Sequence, residues 1–384
     1  MMRNGLRMIG VTGVVALGIG LAGCASDGGS GSEGGSEGAA EDITVGVAMP
    51  TETSERWIAD GEAVESQLEE AGYEVDLQFA NDDIPTQQQQ LDQMITNGAD
   101  ILIVASIDGT ALATQLENAA GKGIPIIAYD RLINGTENVD FYVTFDNYTV
   151  GVQQAQSLLR GLGYLDENYE ETGLDEEKII EVFAGSPDDN NATFFYNGAM
   201  DTLKPFLDDG RLTIGSGQDD FDTVSTLRWD QATAQKRMED LLTSTYDGGS
   251  KPLDGVLSPY DGISRGIITA LDNAGYGATI EAGLPVVSGQ DAEIASVKMI
   301  RDGVQYATIF KDTRKLATQA VAAASAYAEG EEPEANDTES YDNGLKVVPS
   351  FLLESDIVVS DNIGELLVDS GYWTEDEIEA GVAE

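Results

Sequence analysis

Short apolar runs in this chain repeatedly end in polar, charged or aromatic residues. The run 44–49 is followed by Glu55-Arg56-Trp57, and 124–129 runs into Asp130-Arg131. The run 178–183 leads to Ser186-Pro187-Asp188-Asp189-Asn190-Asn191, and 255–257 leads to Tyr260-Asp261. Gly289-Gln290-Asp291 follows 285–288, Lys311-Asp312 follows 306–310, and Trp229 stands just before a helical pattern at 232–242. Carboxylates accept hydrogen bonds from hydroxyl groups, while Arg, Lys and amide NH2 groups donate to them. Charged partners strengthen those bonds. Flat aromatics such as Trp57 and Trp229 pack against apolar C–H faces. A ring carrying many hydroxyls, a sugar, is the ligand such a palette suits. Each residue alone also has a plainer reading. A lone Asp after a strand serves as a helix N-cap, a lone Trp belongs to a core, and Asp130-Arg131 alone is a surface ion pair. The recurrence at successive strand ends is what favours a joint site.

Other chemistry is excluded or disfavoured. The chain has no histidine, so mechanisms that need imidazole as base or ligand are ruled out. Its one cysteine is Cys24, so no intrachain disulfide can form and a structural zinc site is excluded. No metal site and no cofactor is implied. A glycosidase needs two carboxylates at a set separation, and among many acids no single pair stands out. With 69 acidic and 20 basic side chains the formal charge is −49. Such a chain repels nucleic acid and suits a solvated surface in a salty or crowded envelope.

The elements that must position these residues alternate in type. Strand patterns at 44–49, 74–79, 101–105, 124–129 and 141–145 are separated by helical patterns at 54–71, from Pro85 to about Gly98, and at 109–120. A second series begins at Gly151, with strands at 178–183, 212–215, 255–257 and 285–288. Helices at 192–207, 232–242 and 264–273 lie between them. Then come a strand at 306–310, a helix at 313–328 and a late strand at 346–351. Alternating β and α elements predict parallel sheets with helices on both faces. A chain of 384 residues suits two domains of about 150 residues each. The expectation is an α/β protein of two doubly wound, Rossmann-like units, with ligand bound outside the carboxyl ends of the strands.

The N-terminus reads as an address. Arg3 and Arg7 precede an apolar run at 8–22, about 15 residues long, short for a membrane span and right for a signal peptide. The run closes on Leu21-Ala22-Gly23-Cys24, which resembles a bacterial or archaeal lipobox. Cys24 is therefore the expected lipidation site, with 1–23 as a lipoprotein signal peptide. Segment 24–42 is an acidic Gly/Ser linker that cannot bury a core. The expected location is extracytoplasmic, anchored by lipid to the outer face of the cell membrane.

The strand-end motifs, taken in order, carry a resemblance. Ala128-Tyr129-Asp130-Arg131, Phe145-Asp146-Asn147, Gly185-Ser186-Pro187-Asp188-Asp189-Asn190-Asn191-Ala192, Ser258-Pro259-Tyr260-Asp261-Gly262, Ser288-Gly289-Gln290-Asp291-Ala292-Glu293 and Phe310-Lys311-Asp312-Thr313 join Glu55-Arg56-Trp57. Together they resemble the xylose-binding and multiple-sugar-binding proteins of the type I periplasmic binding protein family, from about Thr44 to Trp373. Xylose-specific members have Asn where this chain has Tyr260. The multiple-sugar branch, which takes glucose- and galactose-like aldoses, is the more similar. The resemblance implies a Venus-flytrap fold with three hinge crossovers, near Asn147, Lys311 and Tyr341. The first lobe would be 43–146 plus 312–340, and the second 147–311 plus 341–384. It also implies that Arg56, Trp57, Asp130, Arg131, Asp189, Asn191, Trp229, Asp261, Asp291 and Lys311 enclose a monosaccharide. The implied protein is a monomeric, non-enzymatic component of a sugar ABC importer, with permease and ATPase subunits as partners. A membrane sensor is a further candidate reader of its closed form. A repressor of the same lobed fold would need a basic helix-turn-helix before the first strand, where this chain has a lipobox and an acidic linker.

Overall fold

The computed structural model describes residues 43–383. Cys24, the apolar run and the linker lie outside the described residues. The first sheet opens with β1 (Thr44–Met49), β2 (Glu74–Phe79), β3 (Ile101–Val104), β4 (Ile126–Tyr129) and β5 (Phe141–Phe145). Helices α1 (Glu55–Glu70), α2 (Ile84–Asn97) and α3 (Ala113–Ala120) connect them. Every residue of β3, β4 and β5 is buried, as a parallel sheet covered on both faces requires. That is why Ile-Leu-Ile-Val at 101–104 shows no alternation. The chain then leaves this sheet through α4 (Asn147–Gly161), which packs along α5 (Asn190–Asp208). Gly151 permits that packing, because a Cβ there would lie 2.0 Å from the Phe195 carbonyl oxygen.

The second sheet contains β6 (Lys178–Val182), β7 (Leu212–Ile214), β8 (Gly255–Leu257) and β9 (Val286–Val287), all parallel in the order β7-β6-β8-β9. Helices α6 (Phe221–Val224), α7 (Gln231–Ser244), α8 (Asp261–Asn273) and α9 (Ile294–Arg301) complete it. Strand β10 (Ala307–Phe310) continues beside β9. There the Tyr306 amide donates to Val287 O at 3.0 Å and the Ile309 amide to Gly289 O at 3.1 Å. The chain returns to the first sheet with α10 (Thr313–Ala328), packed on α1, and β11 (Ser350–Leu353). It crosses back with β12 (Asp356–Val359), antiparallel to β10, and ends near α11 (Glu375–Ala380).

These are the two α/β lobes that the alternation predicts, with three crossovers. The third crossover is not where the sequence places it. Strand β11 pairs in parallel with β5, from Ser350 with Tyr142 to Leu353 with Phe145, so the first sheet runs β11-β5-β4-β3-β1-β2. Segment 341–353 therefore belongs with the first lobe, and the chain crosses between Leu353 and Asp356 rather than near Tyr341. The reason is the fully buried β5, whose outer edge needs a hydrogen-bonding partner. Helices α4, α6, α9 and α11 and strand β12 have no counterpart in the sequence expectation. Polar residues and Gly151 dilute the helical period of α4, although its Val150, Ala155, Leu158 and Leu159 are buried.

Candidate functional site

The carboxyl ends of β1, β4, β6, β9 and β10 face one another across a cavity of about 310 Å³. Nine of the ten sequence-predicted site residues line it: Arg56, Trp57, Asp130, Arg131, Asp189, Asn191, Trp229, Asp291 and Lys311. Arg56 and Trp57 open α1, and Asp130 and Arg131 end β4. Asp189 and Asn191 begin α5, while Asp291 and Lys311 follow β9 and β10.

The side chains are held as a charged lattice. Asp130 receives Arg56 through both guanidinium Nη atoms, with Nη1 at 3.3 Å from Oδ2. Arg56 Nε lies 2.9 Å from Asp60 Oδ2, and Nη1 lies 3.9 Å from Asp291 Oδ1. Lys311 Nζ is 2.9 Å from the same Asp291 oxygen. Arg131 Nε is 3.1 Å from Asp189 Oδ2. Neither Arg56 Nε nor Arg131 Nε makes an aligned hydrogen bond in these pairs, so both are close charge contacts and not directed bonds. Both guanidinium groups lie against the Trp57 ring, that of Arg56 at 4.7 Å and that of Arg131 at 5.0 Å from its centre.

Asp189 both caps a helix and lines the cavity. Its Oδ1 accepts the Asn191 amide at 3.0 Å and so caps α5, while Oδ2 accepts Trp229 Nε1 at 3.2 Å and meets Arg131. Asn191 spans the cleft. Its Nδ2 donates to Asp130 O at 2.7 Å, and its Oδ1 accepts from Tyr142 OH at 2.9 Å and Asn147 Nδ2 at 3.0 Å. Trp229 lies against the backbone of Gly185, where a Cβ would come within 2.0 Å of the indole.

Backbone strain concentrates here. Asp130 (φ 59°), Arg228 (φ 59°), Trp229 (φ 56°) and Asp291 (φ 92°) all occupy the left-handed region, a conformation that costs a non-glycine residue roughly 1–2 kcal/mol. The burial of Asp130 alone would raise its pKa, but Arg56 and then Lys311 outweigh burial and hold it below the usual carboxylate range. Asp130 is therefore an ionised, strong acceptor at neutral pH. Burial raises Asp189, with Arg131 opposing. Burial pushes Asp60 up to about 6, again with Arg56 opposing.

Asp261 is the exception. It does not line the cavity; its neighbours Tyr260 and Gly262 do. Its carboxylate turns inward, accepting Gln305 Nε2 at 2.8 Å, Thr308 Oγ1 at 3.0 Å and the Glu293 amide at 3.0 Å. Burial and then Glu293 push its pKa well above the carboxylate range. Placed on the amide of Glu293, Asp261 fixes the loop that carries Asp291 and so supports the wall from behind. The sequence shows an Asp at a strand end but not the direction in which its side chain points.

Several lining residues are outside the ten site positions that the sequence singles out, Tyr260 among them although it stands in a strand-end motif. Phe195 sits one helical turn after Asn191 on α5, a spacing that would have flagged it. Arg228 precedes Trp229, pairs with Asp188 at 2.9 Å and donates to Ile107 O of the facing lobe at 3.1 Å. Ser54, Tyr260 and Arg265 gather around Glu293: Tyr260 OH at 2.6 Å, Arg265 Nη2 at 2.6 Å and Ser54 Oγ at 3.2 Å. Among the described residues no carboxylate cluster is arranged to hold a metal ion.

A model of the periplasmic binding protein domain matches residues 45–332. The multiple sugar-binding periplasmic receptor ChvE of Rhizobium radiobacter is 51% identical, covering 88% of this chain and 93% of its own. The multiple sugar-binding periplasmic protein SbpA of Azospirillum brasilense is 52% identical over 86% of this chain and 90% of its own. The D-xylose-binding periplasmic protein of Escherichia coli is 34% identical, with 88% and 93% covered. Among solved structures, an ABC transporter solute binding protein from Clostridium phytofermentans with bound β-D-glucose superposes with a TM-score of 0.81. It is 46% identical, with 87% of this chain and 99% of that one covered.

Proposed function

Because this chain belongs to the periplasmic binding protein domain family, we propose that it is the sugar-capturing receptor of an ABC importer. It binds a neutral aldose, of the glucose, galactose or xylose kind, between its two lobes, and releases it unchanged to a permease driven by ATPase subunits. One observation carries the choice of a neutral sugar. Each Arg or Lys that lines the cavity already has a carboxylate partner: Arg56 with Asp130, Arg131 with Asp189, Lys311 with Asp291, Arg228 with Asp188 and Arg265 with Glu293. An anionic ligand would have to displace one of them, whereas hydroxyl groups can insert between donors and acceptors that stay in place. The indoles of Trp57 and Trp229 supply apolar walls for the ring's C–H faces. The nine lining residues that the sequence singles out are the proposed ligand contacts.

The reading is tested by calorimetric titration with D-glucose, D-galactose and D-xylose, alongside small-angle scattering. At least one aldose should bind saturably and shrink the radius of gyration, because contacts from both lobes must close on it. Absence of binding by all three aldoses removes the reading, and binding without compaction removes the flytrap.

The anchor is a second part of the proposal. Cys24, at the end of the apolar run and ahead of the Gly/Ser linker, carries the lipid. Cys24→Ser should move the protein from the membrane fraction to the soluble fraction of the producing cell. A variant that stays membrane-bound would show that lipid on Cys24 is not the anchor. One acyl chain holds a protein only marginally, so stable retention of the parent requires two or more.

A further inference from the structure

Behind the cavity wall lies a group that the binding reading does not use. Asp60 is wholly buried, one turn along α1 from Arg56, and does not line the cavity. Its Oδ1 accepts Tyr129 OH at 2.5 Å, and its Oδ2 lies 2.9 Å from Arg56 Nε. The guanidinium of Arg56 is thus gripped on two edges, by Asp60 at Nε and by Asp130 at the two Nη atoms. With Asp130 alone it could pivot about that contact. With both, charge contacts on two edges restrict that pivot and bias the guanidinium toward one setting beside Trp57, Asp130 and Asp291.

The charge balance argues that Asp60 is kept for that task. Each of the five cations that line the cavity, Arg56, Arg131, Arg228, Arg265 and Lys311, already faces a carboxylate other than Asp60. Asp60 is a further buried carboxylate with no cation of its own, since it shares Arg56. An unmatched buried charge is costly, and Asn would fill the same space without it. Tyr129 OH satisfies Oδ1, but neither Arg56 Nε nor Asp60 Oδ2 makes an aligned hydrogen bond, so hydrogen bonding recovers only part of that cost. A residue that strains the fold beside a site is better explained by the site.

Resting on the sugar-binding reading above, we propose that Asp60 is a positioning residue: it never touches the ligand, and it sets the angle at which Arg56 and Asp130 meet a sugar hydroxyl.

A double-mutant cycle between Asp60→Asn and Arg56→Lys tests this, read by calorimetry with D-glucose, D-galactose and D-xylose. Lysine has no Nε for Asp60 to hold. Asp60→Asn in the parent should weaken binding by about tenfold, and in the Arg56→Lys background by no more than about twofold, since coupled residues are not additive. The sugar-free Asp60→Asn protein should melt no lower than the parent. Unchanged affinity in the parent background, or the same loss in both, would overturn the proposal. A lowered melting temperature with additive losses would make Asp60 a structural residue only. Should Asp60→Asn not fold, Tyr129→Phe serves instead. It frees the Asp60 carboxylate without touching Arg56, and should weaken binding only where Arg56 is present; equal effects in both backgrounds again overturn the idea. Failure of the parent itself to bind any of the three sugars is a different result, and removes the sugar reading together with this one.

Discussion

Asp130→Ala is expected to weaken aldose binding by about tenfold to a hundredfold and to leave a folded protein. The size follows from what the carboxylate does. Asp130 is buried at the end of β4, kept ionised by Arg56 and Lys311 against the pull of burial, and faces the cavity. A charge-assisted hydrogen bond lost from such a place typically costs about 1.5–3 kcal/mol, and about 1.4 kcal/mol is a factor of ten in affinity. Two further effects need separating from it. Arg56 loses one partner but retains Asp60 and Asp291. The backbone at φ 59° suits Asp or Asn better than Ala. Asp130→Asn is therefore the companion variant, because it retains the backbone preference and removes only the charge. Calorimetry with glucose, galactose and xylose, beside melts of the sugar-free forms, reads both. A lowered melting temperature with unchanged affinity would make Asp130 a structural ion-pair partner and nothing more.

Gly185→Ala is expected to have an effect of similar size from a single methyl group. The added carbon would stand 2.0 Å from one atom of the Trp229 ring and 2.4 Å from two others, far inside van der Waals contact. The indole has to leave its seat. In doing so it loses the Asp189 hydrogen bond and its edge contacts with Phe195 and Tyr260. A displaced aromatic wall forfeits about 25 cal/mol per Å² of apolar surface that the ligand would have covered. A further ~0.5–1.5 kcal/mol is attributable to ring geometry, so a loss of at least about tenfold follows. The Gly185 backbone is not left-handed, so alanine adds no backbone strain there. Combining Gly185→Ala with Trp229→Ala should cost no more than Trp229→Ala alone. Binding of Gly185→Ala at parental affinity would show that Trp229 is not a wall of the site.

The strands and the choice of chemistry were readable because they rest on local pattern. Ile-Leu-Ile-Val at 101–104 announces a buried strand, and the recurrence of polar residues at strand ends announces the residues that gather around the cavity. What a single sequence withholds is the direction of a side chain and the shape of a loop. Asp130 and Asp261 look alike as residues after strands, yet the first faces the cavity and the second turns to Gln305 and Thr308. Arg228 reaches the facing lobe because it and Trp229 adopt left-handed backbone, which neither residue type signals. The misplaced third crossover has the same origin. The late apolar run could pair with either sheet, and only the unfilled edge of β5 decides between them.

That late run also sets the order in which the molecule is made. Neither lobe is one stretch of chain, and translation delivers the first lobe's closing pieces, α10 and β11, only after the 147–311 portion of the second has emerged. A nascent chain that has reached residue 311 carries nearly all of the second sheet. Its first sheet still has an unpaired edge on β5 and an apolar face awaiting Leu316, Ala317, Ala320 and Ala324. An open edge of that kind is a template for pairing with other chains. The lobe that is started first is thus finished second, and its exposed interval lasts for the synthesis of more than half of the protein.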